Sequence, residues 1–377
     1  MAGLEGLFGG YFIDKYGPRL VCIIGTAIAG VGLILMYFIN SFWQFLVVWG
    51  VTAAMGTSIG GFESLEAAIT KWFVRKRGLA IGLERCLFAS LAAAVVPFMA
   101  FLIFGFGWRK AFLIAGSVTL AIGIPLVWFC VRPRRPEYYG LMPDGAKAGG
   151  IKEEAEAVIE AGVEYAGEVG EVEFTLRQLL RTRVFWLLTS SWVFYGLAWS
   201  IVQLHQVPYL TGMGIDPIAA AQVLGLTVFV SAPGRLLGGI LADRFSTKRL
   251  KYLLIIPSFF QILALLIFMR ATSLGMVYLF AILFGFMMGV RYSLSPLIRA
   301  RFFGRKAFAT TQGVTGAINL PASVFFPIYV GWMYDITGSY AAVLIQGLAL
   351  LIIGTIMLFF LDPPKPPAKI TKITEFI

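Results

Sequence analysis

Ten uninterrupted apolar runs, each long enough to cross a lipid bilayer, dictate what this 377-residue chain can become. They cover residues 20–39, 42–69, 78–104, 108–131, 185–205, 219–241, 252–269, 274–298, 307–330 and 340–361. A hydrocarbon core about 30 Å thick takes about 20 helical residues to span, and every run meets or closely approaches that length. Inside lipid each backbone N–H and C=O must find a partner within the fold, so only helices and closed barrels are allowed. The runs lack the short in–out alternation of barrel strands, so they are read as helices. Composition agrees, with 59% hydrophobic and only 14% charged residues. The expectation is an all-α membrane protein with ten full spans and a partial helix at the N-terminus.

The gaps between the runs carry the charge. A net charge of +11 comes from 31 Lys and Arg against 20 Asp and Glu. Those cations fall in alternate gaps: Lys15 and Arg19, then Lys71, Arg75, Lys76 and Arg77, then the long segment 132–183, then 244–251, 299–306 and the tail. The intervening gaps hold few or none. Positive-inside reasoning places the cationic loops, the linker and the C-terminus in the cytoplasm of a multi-pass cell-membrane protein. The same distribution argues against nucleic acid as a partner. Cys22, Cys86 and Cys130 lie in apolar runs without a CxxC, and His205 is the single histidine, so no disulfide framework, metal site or cofactor is expected. No nucleophile–base pair stands out, so an enzyme is not expected either.

Residues 1–13 are apolar but too short to cross, and they run directly into a cationic turn. They read as the second half of a helix, with a re-entrant or interfacial placement as the alternative. The layout is then an incomplete N-terminal transmembrane half at 1–131, an interdomain linker at 132–183, a six-helix half at 184–361 and a tail at 362–377. The linker holds a run of glutamates from Glu153 to Glu173, and this acidic portion reads as a mostly solvated, partly helical connection.

The halves repeat one another. Gly9-Gly10-Tyr11-Phe12-Ile13-Asp14-Lys15 returns as Gly238-Gly239-Ile240-Leu241-Ala242-Asp243-Arg244, and Lys71 to Gly82 has a weaker echo beginning at Arg301. In the second half this turn follows two complete spans, whereas in the first it follows only the opening apolar fragment. The expectation is that about one and a half helices are missing ahead of Met1, through a shortened gene model or a fragment. Two homologous helical halves around a midplane site are the pattern of secondary transporters.

The residues Gly10, Asp14, Lys15, Gly17 and Arg19 match the signature turn of the major facilitator superfamily, which the sequence resembles along essentially its whole length. Within that superfamily it is similar to the oxalate/formate antiporter and monocarboxylate transporter group. The resemblance rests on Lys71-Trp72-Phe73 with Arg77-Gly78-Leu79-Ala80, on the phrase from Arg135 to Gly145, on His205-Gln206-Val207-Pro208-Tyr209-Leu210, and on Pro296 to Gly304. It implies two pseudo-symmetric halves and alternating access, with Arg235, four residues before Gly239, holding a substrate carboxylate. An arginine inside a span needs an anion, a carboxylate or water in any case, and its planar fork suits a carboxylate. An internal ion pair is the competing role.

Arg291 is the second deep cation. Tyr195, His205 and Asn319 complete the expected substrate-binding set, with Trp199 and Tyr209 as further aromatic candidates and interfacial anchoring as their competing role. The oxalate carriers' lysine has no counterpart in 307–330 beyond Lys306, where Thr315, Asn319 and Ser323 stand instead. A monoanion held by one arginine is therefore favoured over a dianion between two cations. Glu63 and Glu66, three apart on one helix face, are expected as proton acceptors or arginine partners. Asp14, Arg19, Asp243 and Arg244 are expected to gate the cytoplasmic side, and Glu84 and Arg85 to snorkel or pair there. The expected function is transport of a small organic anion, most plausibly a monocarboxylate, with proton symport as one coupling and sodium coupling or exchange as others. An oxalate/formate-type antiporter, an exporter of another organic substrate and a nontransporting fragment remain alternatives, and a monomer is expected.

Overall fold

In a computed structural model the described residues are 2–146, 161, 165, 174–305 and 308–364, and among them there is no β-strand. The acidic run of the linker, Lys306 and the tail beyond residue 364 lie outside these. Among the described residues, eleven long helices organise the chain, with shorter helical turns such as Leu176–Leu180 between them. The opening helix α1 covers Ala2–Tyr16. Ten span-length helices follow: α2 Pro18–Phe38, α3 Phe42–Trp72, α4 Arg77–Phe106, α5 Trp108–Cys130, α6 Arg183–Gly212, α7 Pro217–Arg244, α8 Thr247–Met269, α9 Leu274–Phe303, α10 Phe308–Thr337 and α11 Tyr340–Phe359. The ten apolar runs are all present, extended mostly at the cationic ends, where charged residues continue the helix beyond its apolar core.

Local signals set the boundaries. Gly17, at φ 89, makes the sharp turn between α1 and α2, and Pro18 opens α2. Ser41 begins α3 with a capping box to Gln44. Asp216 caps α7 through the backbone N–H groups of Ile218 and Ala219, just ahead of Pro217 at the first position. Helix α3 is not regular: it passes through a π-helical stretch at Val48–Ala54 and breaks direction at Gly61. Such departures commonly mark functional positions in helices.

Helix α2 packs on α1, α3 and α5, with α4 against α5, in an N-terminal group, while α11 packs on α6 and α8, α9 on α7 and α8, and α10 on α6, in a C-terminal group. The larger buried cores lie in the C-terminal group, one around Phe268, Phe280 and Phe284 and one around Phe185, Leu254 and Leu294. The two groups meet along two seams, α1 against α10 and α4 against α7. These seams are related by the sequence repeat. A β-carbon at Gly10 would strike the Ala309 carbonyl and come within 3.0 Å of Thr310 Cα, while one at Gly239 would strike the Gly78 carbonyl and come within 2.9 Å of Gly82 Cα. With lipid as the surrounding solvent, close backbone approach of this kind is a principal means of holding helices together.

Cys86 lies in α4 within electrostatic reach of Arg235 on α7, so it reports on this seam. In a background with Cys22 and Cys130 replaced by Ser, Gly239→Val is expected to raise the labelling rate of Cys86 by a water-soluble maleimide several-fold, by forcing α4 and α7 apart. An unchanged rate would show that the seam tolerates a side chain there.

Candidate functional site

At the cationic end of the bundle each repeated aspartate crosses its seam and seats itself on the first turn of a helix from the other group. Asp14 Oδ2 accepts from the Thr310 backbone N–H at 2.8 Å and from its hydroxyl at 2.6 Å. Asp243 accepts from the backbone N–H groups of Gly78 and Leu79, both at 2.7 Å. The first turn of a helix presents unpaired N–H groups and a partial positive charge, so a carboxylate there answers both. Glycine four residues earlier in each copy lets the backbones come close enough for the short aspartate to reach. Arg301 adds to the second seam, lying 3.8 Å from Asp243 and donating to the Phe245 carbonyl at 2.9 Å.

The start of the linker is folded onto this face. Glu137 pairs with Arg305 at 3.4 Å, both nearly inaccessible to solvent. Arg305 also donates to the Lys71 carbonyl at 3.5 Å, and Trp72 Nε1 donates to the Arg134 carbonyl at 3.1 Å. Asp144 accepts from the N–H groups of Val74, Arg75 and Lys76 between α3 and α4 at 2.8–3.3 Å. It does so from a left-handed backbone, φ 59, a conformation that Asp tolerates better than most residues. This described stretch of the linker is therefore packed, whereas the acidic portion read as solvated lies outside the described residues.

One layer deeper, a polar chain crosses between the groups. Arg85 on α4 forms an ion pair with Glu66 on α3. The other oxygen of Glu66 accepts from Gln312 Nε2 on α10 at 3.2 Å, and Arg299 on α9 donates to the Gln312 carbonyl oxygen. Arg85 also lies 4.4 Å from the centroid of Tyr292, whose ring has Arg235 at 5.0 Å. Tyr292 thus gathers one guanidinium from each group. From it an aromatic run continues through Trp192 at 5.8 Å to Tyr195 at 5.6 Å, where Arg291 sits 4.4 Å from the ring.

Arg235 donates to the Arg85 carbonyl at 3.2 Å, yet its Nε has no partner and no described carboxylate forms an ion pair with it. It is half-buried where α7 faces α4. Arg291 is almost fully buried within the C-terminal group, donating to Ser258 and Ser191 at the far end of the aromatic run. Asn319 on α10 points toward Gly196 on α6, next to Tyr195. Glu63 and Glu84 each keep one carboxylate oxygen buried and without a partner, whereas both oxygens of Glu66 are engaged.

Several expected residues fall elsewhere. His205 stacks obliquely on Tyr340 at 5.4 Å, near the end of α11 away from the cationic face. At 1.5 Å per residue it stands roughly 20 Å further from that face than Arg235, so the two do not meet. Helix α6 also continues to Gly212, placing His205 two turns inside the helix instead of at its end. Trp199 stacks on Phe284 at 6.1 Å and Tyr209 lies tilted against Phe268 at 5.0 Å, both partly buried against the hydrophobic core. Arg19 donates to the Trp128 carbonyl and lies over its ring at 4.8 Å, joining α2 to α5 inside one group. Arg244 is exposed, and Arg301 takes the place beside Asp243.

Tyr292, Gln312, Glu137 and Asp144 were not singled out from sequence. Gln312 had a usable signal, since it continues the polar face of Thr315 and Asn319 by one turn. Tyr292 had none, because its role depends on arginines from two distant helices.

The Major Facilitator Superfamily model matches residues 2–318. Mouse monocarboxylate transporter 2 is 25% identical over 362 residues, covering 94% of this chain and 72% of that protein. The protein named "Probable sulfoacetate transporter SauU" from Cupriavidus necator is 28% identical over 376 residues, covering 95% of this chain and 81% of that one. Among solved structures, the proton:xylose symporter XylE superposes with a TM-score of 0.70 at 14% identity, covering 96% and 84% of the two chains. The transporter FucP, in its outward conformation, gives 0.68 at 14% identity with 96% and 87% coverage. The paired seams, the helical architecture and the matched family model lead to one assignment: the chain belongs to the Major Facilitator Superfamily.

Proposed function

We propose that this transporter carries a small organic monoanion of the monocarboxylate class, and that Arg235 binds its carboxylate. The observation that carries the reading is that Arg235 lies between the helix groups with its Nε unpartnered and no ion pair to a described carboxylate. Burying a guanidinium without an anion is costly, and a substrate carboxylate would supply two parallel charge-assisted hydrogen bonds. Arg85, by contrast, already has Glu66. Tyr292 and Asn319 complete the proposed site, with Tyr195 lying behind Tyr292 along the aromatic run. The named relatives, which include carriers of carboxylate-bearing compounds, agree with this substrate class.

In this reading the halves 1–131 and 184–361 rock about the site, joined by the linker 132–183, and the cationic face with the tail 362–377 is cytoplasmic. The closed seams at that face make the present arrangement outward-facing. Inward opening requires Asp14 and Asp243 to leave their helix ends together with the Glu137–Arg305 pair. Proton symport fits the charge balance, because a monocarboxylate and a proton cross with no net charge. Glu63 and Glu84, each with a free buried oxygen, are the proposed proton acceptors, while Glu66 serves as the fixed partner of Arg85. The transporter acts as a monomer in the cell membrane.

A charge-assisted contact of this kind is worth about 1.5–3 kcal/mol, or roughly 10- to 100-fold. Arg235→Lys in the full chain, reconstituted in vesicles, should reduce uptake of a radiolabelled monocarboxylate by about that factor while leaving the amount of folded protein unchanged. Uptake at the unmodified rate would rule out Arg235 as the carboxylate ligand. A panel containing lactate, oxalate and a neutral sugar tests the substrate class, with lactate expected to be carried and the sugar excluded.

Proton coupling is tested separately. An inwardly directed proton gradient should accelerate uptake, and Glu63→Gln combined with Glu84→Gln should abolish the acceleration while preserving substrate exchange. Persistence of the full acceleration in the double variant would remove both residues from the coupling path.

A further inference from the structure

Arg291 presents a second unbalanced charge, distinct from that of Arg235. It is 3% exposed, and among the described residues no carboxylate forms an ion pair with it. Its neighbours are neutral: Ser258 Oγ accepts from Nη1, while Ser191 supplies its hydroxyl at 3.1 Å and its carbonyl at 3.3 Å to Nη2. Both serine protons are already committed, to the Gly354 carbonyl at 2.9 Å and the Leu254 carbonyl at 2.7 Å. The serines therefore act as acceptors but bring no charge. The Tyr195 ring helps from one face, yet Arg291 Nε remains without an acceptor. A buried cation left in this condition costs several kcal/mol unless an anion joins it.

A place for that anion exists. A partly open pocket of about 10 Å³ lies against Arg291, and its wall also includes Arg299, Ser191, Ser295 and Trp192, with leucines completing it. That is room for one particle of about water size. Arg299 is 6% exposed and donates to the neutral Gln312, so a second guanidinium borders the same space.

We propose that the C-terminal helix group contains a dedicated binding site for a single halide-sized inorganic anion, held between Arg291 and Arg299 with Ser295 at its edge. The ion neutralises Arg291 within the α6, α8, α9 and α11 packing and so fixes the shape of that group. It is separate from the proposed substrate position, since Tyr292, Trp192 and Tyr195 lie between Arg235 and Arg291. The inference stands whether or not Arg235 binds a carboxylate.

Chloride is the probe. The purified full chain in lipid nanodiscs should bind radiolabelled chloride saturably, and its unfolding temperature should rise with chloride relative to gluconate at equal ionic strength. Arg291→Met should abolish both effects. Ser295→Ala, a milder change in case the first variant fails to fold, should weaken chloride about fivefold through the loss of one neutral hydrogen bond. Arg235→Ala should leave chloride binding unchanged. No retained chloride together with identical unfolding temperatures would overturn the proposal, as would chloride binding that survives Arg291→Met at full affinity. Loss of chloride binding in Arg235→Ala would also overturn it, by placing the ion in the substrate site.

Discussion

A carboxylate seated on the N-terminus of a helix from the other half is the interaction on which this arrangement depends. It occurs twice, Asp14 on α10 and Asp243 on α4, and both cases need the same three things. The partner helix must end at the seam so that its first N–H groups are free. The acid must sit at the end of its own helix. A glycine one turn earlier must let the two backbones touch, as at Gly10 and Gly239. Because the acceptor is charged, each hydrogen bond contributes about 1.5–3 kcal/mol, while a tenfold population change needs only about 1.4 kcal/mol. Two such latches are strong enough to define one closed face and weak enough to be released in a transport cycle. The pair Glu137–Arg305 couples the linker to the same face, so the connection between halves takes part in the closure it spans.

Above the latches, charge is distributed by whether it is already answered. Arg85 has Glu66, and Glu66 reaches across to Gln312, so this part of the layer ties the halves together when they are closed. Arg235 sits at the junction without an ion pair to a described carboxylate, donating to the Arg85 carbonyl and lying over the Tyr292 ring. Tyr292 touches a guanidinium from each group, which makes the position of Arg235 sensitive to the relative placement of the halves. In a low-dielectric layer an unpaired cation favours an entering anion, and the same cation resists closure around an empty site. Binding and conformational change would then share a single electrostatic origin.

Much of the fold was legible because lipid simplifies the problem. Length and hydropathy alone located all ten spans, and the repeated Gly-x-x-x-Asp pattern drew attention to Asp14 and Asp243, each of which crosses a seam in the structure. The companions of those acids were harder to read. Arg19 and Arg244 follow the acids in sequence, yet Arg19 lies beyond the Gly17 turn on α2, where it meets Trp128, and Arg244 is exposed because successive positions on a helix face different directions. The residue beside Asp243 is Arg301, nearly sixty positions away, and no local pattern announces such a contact. His205 illustrates a different limit: the sequence places it in the expected substrate-binding set, but depth along the helix, fixed by where α6 ends, separates it from Arg235. The packing of the linker start was not legible either, because it depends on Asp144, held in a left-handed turn, meeting the distant loop between α3 and α4.

The account turns on the two helix-seated aspartates holding one face closed. Spin labels at Lys76→Cys and Ser246→Cys, in a chain otherwise free of cysteine, would report the distance across the α4–α7 seam by pulsed electron resonance. With Asp14 and Asp243 intact, a single short distance is expected; with Asp14→Asn and Asp243→Asn together, a second, longer population should appear and grow. A distribution unchanged by the double substitution would contradict the account.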